Sequence, residues 1–363
     1  MKERVYLDHN ATTPLRAEAR TAMLAAMDLV GNPSSVHGEG RAAKAVVERA
    51  RAQVAGLVGC EPSQVIFTSG ATEAAALAVA QRSDFAALPT EHDCLAVWGT
   101  REVPGVFDST GAARPEALAG LPAAGLLAVA LANSETGICA PKSLFDTLEV
   151  PVVCDITQAA GRVAVPERAA LRADYMILSA HKLGGPKGVG ALINFTGSDP
   201  EAILRGGGQE MGRRSGTENI IGIAGFGAAA EGAAGDIRAG RWDAVGELRK
   251  ILENTLAAEA KTTIFVGQGV ARLPNTSLFA TPGWKGEAQV IQMDLAGFAI
   301  SAGSACSSGK VRASAVLRSM GFEEDIAGSA VRVSLGLETT RQDVERFAAA
   351  WLAAEARFRA RAA

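Results

Sequence analysis

Residues 64–80 read QVIFTSGATEAAALAVA and change character near their middle. Residues 65–67 form a short apolar run with the composition of a buried strand. Small polar residues interrupt this run at 68–70, and the alanine-rich segment 72–80 then has the composition of a helix. A buried strand that turns directly into a helix is the unit from which α/β sheets are built.

The same alternation extends on both sides of this stretch. Upstream, residues 41–58 carry apolar side chains at the spacing of an amphipathic helix. Downstream, apolar runs of strand length at 126–130, 151–154 and 175–178 each end in polar residues. Strands separated by helical segments predict an α/β fold whose large domain contains a mainly parallel, doubly wound sheet.

The pattern changes in the last third of the chain. Residues 237–260 form a long, charged helical pattern, two strand-like runs follow, and a charged, alanine-rich helix is predicted over 342–361. This mixture predicts a smaller α+β domain that the first residues of the chain join. We therefore assign residues 15–245 to the large domain, and residues 1–14 and 246–363 to the small domain.

Composition and charge narrow the classes of function. The 363 residues include 36 Lys and Arg against 39 Asp and Glu, so the net charge of −3 offers no basic field for nucleic acid. The longest nearly apolar run, residues 121–132, is too short to cross a bilayer, and no signal-peptide core follows the N-terminus. The five cysteines form no C-x-x-C pair, and no Cys and His residues have metal-site spacing. We expect a cytoplasmic protein with reduced thiols and no metal, nucleic-acid or membrane partner.

Three predicted strands end in polar residues of complementary chemistry. Thr72 and its neighbours open a helix, whose free N–H groups favour an anion such as phosphate. Asp155 ends a second strand, and His181 and Lys182 end a third. Each feature alone is as typical of a helix cap, a turn aspartate or a solvated lysine. Together, at the carboxyl ends of one sheet, they match pyridoxal 5′-phosphate, which needs a phosphate site, an acidic partner for its ring nitrogen and a lysine for its aldehyde.

These residues belong to a longer series of motifs that runs through nearly the whole chain. The motifs are YLDHNATTP (6–14), GNPSSVH (31–37), TSGATE (68–73), TEH (90–92), DITQ (155–158), SAHK (179–182), GGGQE (206–210), RRSGT (213–217), SACS (304–307) and VRVSLG (331–336). With them the chain resembles the cysteine desulfurases, members of the class V aminotransferase superfamily of fold-type I pyridoxal-phosphate enzymes. The GSACS form at 303–307 is similar to the first of the family's two groups.

The resemblance implies a role for each cofactor contact. Lys182 would bind the aldehyde covalently and later move the substrate's Cα proton. Asp155 would keep the ring nitrogen protonated, while His92 would stack on the ring and relay protons. The ring hydroxyl would be met by Gln158 and Ser134, and the phosphate by Ala71, Thr72, Ser179 and His181.

The reaction implied by the resemblance depends on Cys306. Its thiolate would attack the sulfur of L-cysteine, which leaves a persulfide on Cys306 and releases L-alanine. Arg332 would hold the substrate carboxylate with its bidentate fork, assisted by Asn32. The other cysteines are expected to be packing residues: Cys60, Cys94, Cys139 and Cys154.

The resemblance also implies partners. Thr217 would reach the phosphate of the neighbouring subunit, so a homodimer is expected. The sulfur would pass to an iron–sulfur scaffold or to another acceptor protein. Because the chain ends at Ala363 soon after its last predicted helix, the tail that recruits such a scaffold in many members is expected to be short or missing. Ser134 stands where the family usually has a second Asn, and its hydroxyl would make the ring contact with a shorter reach.

Three alternative functions share some of these features. A selenocysteine or cystine lyase, or an aminotransferase, would use Lys182 without Cys306. A Rossmann-like phosphate-binding protein would explain the TSGAT segment alone, but the sequence has neither a G-x-x-x-x-G-K-[ST] motif nor a G-x-G-x-x-G motif after a strand. An inactive binding platform would leave the intact lysine, aspartate, histidine and cysteine without a use.

Overall fold

The computed structural model describes residues 4–80, 82–101, 103–118, 125–303 and 313–362, which alternate between strands and helices. The strands are β1 (Val5–Tyr6), β2 (Val65–Thr68), β3 (Phe85–Ala87), β4 (Leu126–Ala130), β5 (Val152–Asp155), β6 (Ala173–Ser179), β7 (Gly190–Asn194), β8 (Ile264–Phe265), β9 (Thr276–Ala280), β10 (Phe298–Ala299), β11 (Ser301–Ala302) and β12 (Ala330–Ser334). The helices are α1 (Ala17–Met27), α2 (Gly38–Val58), α3 (Ala71–Val79), α4 (Asp93–Ala96), α5 (Lys142–Asp146), α6 (Arg168–Leu171), α7 (Ile220–Arg238), α8 (Arg241–Glu259), α9 (Gly286–Leu295), α10 (Ala315–Ser319), α11 (Glu324–Gly328) and α12 (Arg341–Ala362).

A six-stranded sheet in the order β2-β7-β6-β5-β4-β3 forms the centre of the larger part of the molecule. Strands β3 to β6 pair in parallel, whereas β7 runs antiparallel to both of its neighbours, β2 and β6. The predicted α/β fold with a mainly parallel sheet is confirmed. Strands β3 and β7 are not among the strands predicted from the sequence.

Both faces of this sheet are covered, which explains why its strands are apolar along their whole length. Ile66 and Ala128 pack with α3 on one face, whereas their chain neighbours Phe67 and Val129 belong to the core on the other face. Successive strand residues point to opposite faces, so a strand between two helical layers needs apolar residues at every position.

Helix α7 belongs to the second of these layers. Within the described part of the chain, it is the one helix whose length and hydropathy would suffice to cross a membrane. It packs against α1 and α2, and Phe226, Ala229 and Ala230 are fully buried. Its apolar composition therefore serves the core.

A four-stranded antiparallel sheet, in the order β11-β12-β9-β8, forms the centre of the smaller part. Its core contains an aromatic cluster in which the Phe279 and Trp351 ring centroids lie 5.3 Å apart. Strand β1 pairs with β10, and Leu7 is buried in the same core. Val245 of α8 also belongs to it, so the predicted boundary at 245/246 lies inside that helix. The domain boundaries remain predictions.

The single helix predicted over residues 237–260 is wrong at its start. Helix α7 ends at Arg238 and α8 begins at Arg241, with Gly240 between them at φ 65°. A glycine in this left-handed conformation redirects the chain without steric cost, so the helical composition on both sides does not form one helix.

A left-handed turn lies just before the RRSGT motif. Glu210, Met211 and Gly212 have φ values of 48°, 58° and 82°. The Glu210 carboxylate accepts two hydrogen bonds from the Arg51 guanidinium, at 2.8 and 2.7 Å, and one from the Phe67 backbone N–H at 3.1 Å. Both partners of this ion pair are buried, so the turn is anchored in the core.

Candidate active site

A cavity of about 330 Å³ opens at the carboxyl ends of β2, β4, β5 and β6. This is the edge at which open α/β sheets bind ligands. The cavity is lined by ten of the predicted site residues, namely Ala71, Thr72, His92, Ser134, Asp155, Gln158, Ser179, His181, Lys182 and Arg332. The fold therefore brings together side chains that lie up to 261 positions apart, from Ala71 to Arg332.

The start of α3 forms one wall. Gly70 precedes the helix and offers no side-chain cap to its first-turn N–H groups, while the Ala71 N–H donates to Ser179 Oγ at 2.8 Å. Gly190 of β7 passes directly beneath, and a Cβ at that position would lie 2.6 Å from the Gly70 Cα atom. Because Gly70 has no side chain with which to cap the first turn, the N-terminal end of α3 is open to an anion.

His181 lies beside this helix end. Its Nδ1 is 3.1 Å from Thr12 Oγ1. Burial, followed by the charges of Lys182, Lys187 and Arg162, lowers the pKa of His181 to about 4. The imidazole is therefore neutral at pH 7, and it contributes hydrogen bonding rather than charge to this wall.

Asp155 and Gln158 line the floor behind β5. Asp155 is 9% exposed, and its Oδ1 accepts from the Thr157 backbone N–H at 2.8 Å. Gln158 donates through Nε2 to the Asn10 carbonyl at 3.0 Å and accepts from Arg162 through Oε1. Both side chains are thus held by short contacts within the described structure.

Lys182 follows β6 in a single 3₁₀ turn. Its Nζ donates to the carbonyl oxygens of Asn10 and Ala11, at 2.7 and 2.9 Å. Its own carbonyl accepts from Thr13 Oγ1 at 2.9 Å. The YLDHNATTP segment thus crosses the end of β6 and orients the amine.

His92 precedes α4 and caps it. The Cys94 backbone N–H donates to His92 Nδ1 at 3.1 Å, so a neutral His92 ring carries its proton on Nε2. Cys94, predicted from the sequence to be a packing residue, is buried and also lines the cavity. Its pKa is raised, chiefly by burial, which favours the thiol over the reactive thiolate.

Arg332 enters the cavity from β12, on the small-domain side. It donates through Nη2 to Asp8 Oδ1 and through Nη1 to the Ser134 carbonyl, both at 2.9 Å. Its Nε is buried and has no hydrogen-bond partner among the described residues. A buried guanidinium N–H without an acceptor costs free energy, so this edge of Arg332 fits an anionic ligand.

Two predicted site residues lie elsewhere, and a third cannot be placed. Asn32 and Thr217 are exposed and do not line this cavity. Cys306 lies outside the described residues.

Two residues that organise the site, Asn10 and Asn133, are not among the residues predicted from the sequence. Asn10 accepts from Lys182 and Gln158 through its carbonyl, and its Nδ2 donates to Ser134 O at 3.2 Å. Asn133 Oδ1 accepts from the backbone of Glu135 and Thr136 and so shapes the turn before Ser134. Asn10 stands inside the YLDHNATTP motif, which was the available signal, whereas Asn133 lies outside the quoted motifs and next to Ser134; the role of both depends on long-range contacts.

Comparison with known proteins agrees with this geometry. Residues 5–96 and 108–347 match the family model described as aminotransferase class-V. The chain is 39% identical to a cysteine desulfurase of Cereibacter sphaeroides, over 95% of this chain and 94% of that protein. It is 38% identical to a cysteine desulfurase of Klebsiella pneumoniae, over 94% and 90%. The solved structure of a NifS-like protein from Rickettsia africae ESF-5 superposes with a TM-score of 0.87, at 31% identity and over 96% and 98% of the two chains.

The chain therefore belongs to the aminotransferase class-V family. Within that family it groups with the cysteine desulfurases, and the lyase and aminotransferase alternatives are not favoured. Proteins of this family are pyridoxal-phosphate enzymes, and the residues around the cavity fit that cofactor. The open α3 N-terminus suits its phosphate, Asp155 suits its ring nitrogen, and Lys182 suits its aldehyde.

Proposed function

We propose that this chain is a pyridoxal-phosphate-dependent cysteine desulfurase that converts L-cysteine to L-alanine and a protein-bound persulfide. The observation that carries the proposal is the cavity in which Lys182, Asp155, His92 and the α3 N-terminus converge with Arg332. An amine, a carboxylate and an anion cradle around one space are the set that this cofactor needs.

The contacts described above support a division of labour at the cofactor. Ala71, Thr72, Ser179 and His181 would hold the phosphate, and Asp155 would pair with the ring nitrogen. His92, with its proton on Nε2, would lie against the ring, and Gln158 and Ser134 would face its hydroxyl. When bound, the cofactor supplies an electron sink that acidifies the substrate's Cα–H bond. Lys182 Nζ would take the proton from Cα and return it.

Arg332 would bind the substrate carboxylate. Nη2 and Nη1 each donate one hydrogen bond, to Asp8 and to the Ser134 carbonyl oxygen, while the buried Nε has no partner among the described residues. A substrate carboxylate would give this N–H an acceptor in a water-poor site. Asn32, which lies outside this chain's own cavity, would assist at the carboxylate.

Cys306 would carry out the sulfur transfer. Its thiolate would form a bond to the substrate sulfur as the substrate's carbon–sulfur bond breaks, and the carbon fragment would keep the electron pair and leave as L-alanine after protonation. The persulfide sulfur would then pass to an acceptor protein for iron–sulfur cluster assembly or for another sulfur-containing cofactor. We place this chemistry in the cytoplasm, where thiols stay reduced.

A homodimer would complete the site. Asn32 and Thr217, which lie outside this chain's own cavity, each belong to a segment with exposed apolar side chains. Val30 and Val36 flank Asn32 and are 84% and 88% exposed, and Met211, near Thr217, is 68% exposed. Exposed apolar residues beside unused polar site residues fit burial against a second copy of the chain, with Thr217 reaching the neighbouring phosphate.

Mass spectrometry after exposure to L-cysteine tests the proposal. We expect one added sulfur atom on the peptide that contains Cys306, together with L-alanine. Cys306→Ser should keep the visible absorbance of the bound cofactor and lose sulfide release, whereas Lys182→Ala should lose the band that borohydride reduction removes. A Cys306→Ser variant with full sulfide output would contradict the assignment, and Cys60→Ser is the matched control.

A further inference from the structure

Glu91 is a buried carboxyl to which the proposed function assigns no role. It stands between Thr90 and His92, which both line the cavity, but it is not part of the cavity wall. The residue is only 6% exposed. A buried acid next to a predicted cofactor contact is costly unless its charge is compensated or removed.

The end of β3 explains the position of this side chain. Strand β3 ends at Ala87, in register with Ala128, whereas β4 continues to Ala130. The Ala130 N–H therefore lacks a β3 partner, and it donates to Glu91 Oε1 at 2.9 Å. The Glu91 carboxyl thus extends the hydrogen-bond ladder past the end of the edge strand.

The turn around Glu91 is tied to the same strand ends. The Glu91 N–H donates to Leu88 O at 2.9 Å, and Asn133 Nδ2 donates to Thr90 O at 2.8 Å. Ala130 is also in register with Asp155 on β5. The Glu91 carboxyl therefore connects the turn that leads into His92 to β4, the strand that pairs with β5 at Asp155.

The surroundings of the second carboxyl oxygen of Glu91 indicate which protonation state the side chain adopts. Oε2 is buried and has no hydrogen-bond partner among the described residues, so an ionised carboxylate would carry charge at an atom without a donor. Burial raises the pKa of Glu91 to about 8; the Ala130 bond opposes this shift, Asp155 adds to it and His92 opposes it. Among the described residues, the Cys94 and Cys154 thiols also interact with Glu91, and burial raises the pKa of both.

We propose that Glu91 is a positioning residue that, as a neutral acid, fixes the His92 turn to the end of β4 and keeps a second negative charge away from Asp155. The proposal rests on the proposed function only through the role given to His92. Ionisation of Glu91 would place an uncompensated charge under the turn, and the turn would have to move to solvate it.

The first test uses the cofactor-free protein and measures unfolding by denaturant from pH 5 to pH 9. The native state holds a proton on Glu91 that the unfolded chain releases near its ordinary pKa of 4.5, so stability falls as pH rises toward about 8 and then levels off. Glu91→Gln, which copies the neutral acid, should remove this part of the slope. Because burial also raises the pKa of Glu135 to about 7, the diagnostic quantity is the difference between wild type and Glu91→Gln. Glu259→Gln, at an exposed position, is the matched control.

The second test measures the affinity of the same proteins for pyridoxal 5′-phosphate. If only the neutral form is competent, the wild-type Kd should rise about tenfold from pH 7 to pH 9 beyond the rise seen in Glu91→Gln. At pH 7 the two Kd values should agree within about threefold, whereas Glu91→Ala, which leaves the Ala130 N–H unpaired, should bind at least about tenfold more weakly.

The outcomes separate the two proposals. An unfolding slope in Glu91→Gln equal to that of wild type, or a tenfold weaker Kd in Glu91→Gln at pH 7, would overturn the neutral positioning role. If no variant and no wild-type protein binds pyridoxal 5′-phosphate, the proposed function fails, while the difference in unfolding slope still decides the protonation state of Glu91.

Discussion

Replacement of Arg332 by lysine tests how the substrate carboxylate is recognised. The guanidinium is buried, with its Nη atoms on Asp8 and Ser134 O and its Nε without a partner. Lysine keeps the positive charge but cannot offer the fork of donors. Loss of one charge-assisted hydrogen bond costs about 1.5–3 kcal/mol, so kcat/KM for L-cysteine should fall roughly 10- to 150-fold.

The assay is L-alanine formation as a function of L-cysteine concentration, with the affinity for pyridoxal 5′-phosphate measured in parallel. The cofactor affinity should stay within about threefold of wild type, because Arg332 lies on the substrate side. With L-cysteine methyl ester, which has no carboxylate charge, wild type and Arg332→Lys should give similar rates. Arg346→Lys, in the same part of the molecule and also paired with an aspartate, is the control.

Two results would refute this reasoning. An unchanged kcat/KM for L-cysteine would mean that Arg332 does not bind the carboxylate. An equal loss with L-cysteine and with its methyl ester would mean that the variant damages the site in general, and that Arg332 acts by holding Asp8 and the Ser134 turn in place.

Other predictions concern stability. Arg51→Met leaves the Glu210 carboxylate buried without its partner and should lower the free energy of unfolding by about 3–5 kcal/mol in denaturant titrations; no loss would mean that the pair is not buried in solution. Gly336→Ala should lower the melting temperature, because its Cβ would lie 2.1 Å from His9 Cε1. The free energy of unfolding should fall by about 1–3 kcal/mol, and an unchanged value would show that His9 can move. Burial and the Arg162 charge lower the pKa of His9 to about 4, so the free energy of unfolding should fall as pH drops from 6.5 toward 4. His9→Asn should reduce this fall, and the same pH dependence in wild type and His9→Asn would contradict the prediction.

The architecture follows from sequence wherever a strand is long and apolar. The run at 126–130 coincides with β4, and 151–154 differs from β5 by a single position at each end. These strands lie between two helical layers, so burial alone selects their residues. Strand β3, with the sequence FAA, carries too little of this signal because it is short and lies at the sheet edge.

The site was accessible from sequence only through motifs. The convergence of nine of the ten predicted residues follows from the rule that parallel strands present their carboxyl ends at one edge, whereas Arg332 comes from β12 of the other sheet. The contacts that orient them do not follow from local sequence. Arg332 meets Asp8 across 324 positions, and Glu91 meets Ala130 because β3 ends early, which no local pattern encodes.

Residues Glu210–Gly212 form a short left-handed turn, whereas the α-helices described above are right-handed. L-amino acids disfavour that hand by roughly 1–2 kcal/mol per residue, and two of the three positions here are not glycine. The Arg51 guanidinium holds Glu210 from inside the protein, while Met211, at the outer corner of the turn, exposes its side chain to solvent. Evolutionary drift toward glycine at this corner would relax the backbone but erase the projecting thioether, and an insertion or deletion here would rotate the RRSGT segment away from its present direction.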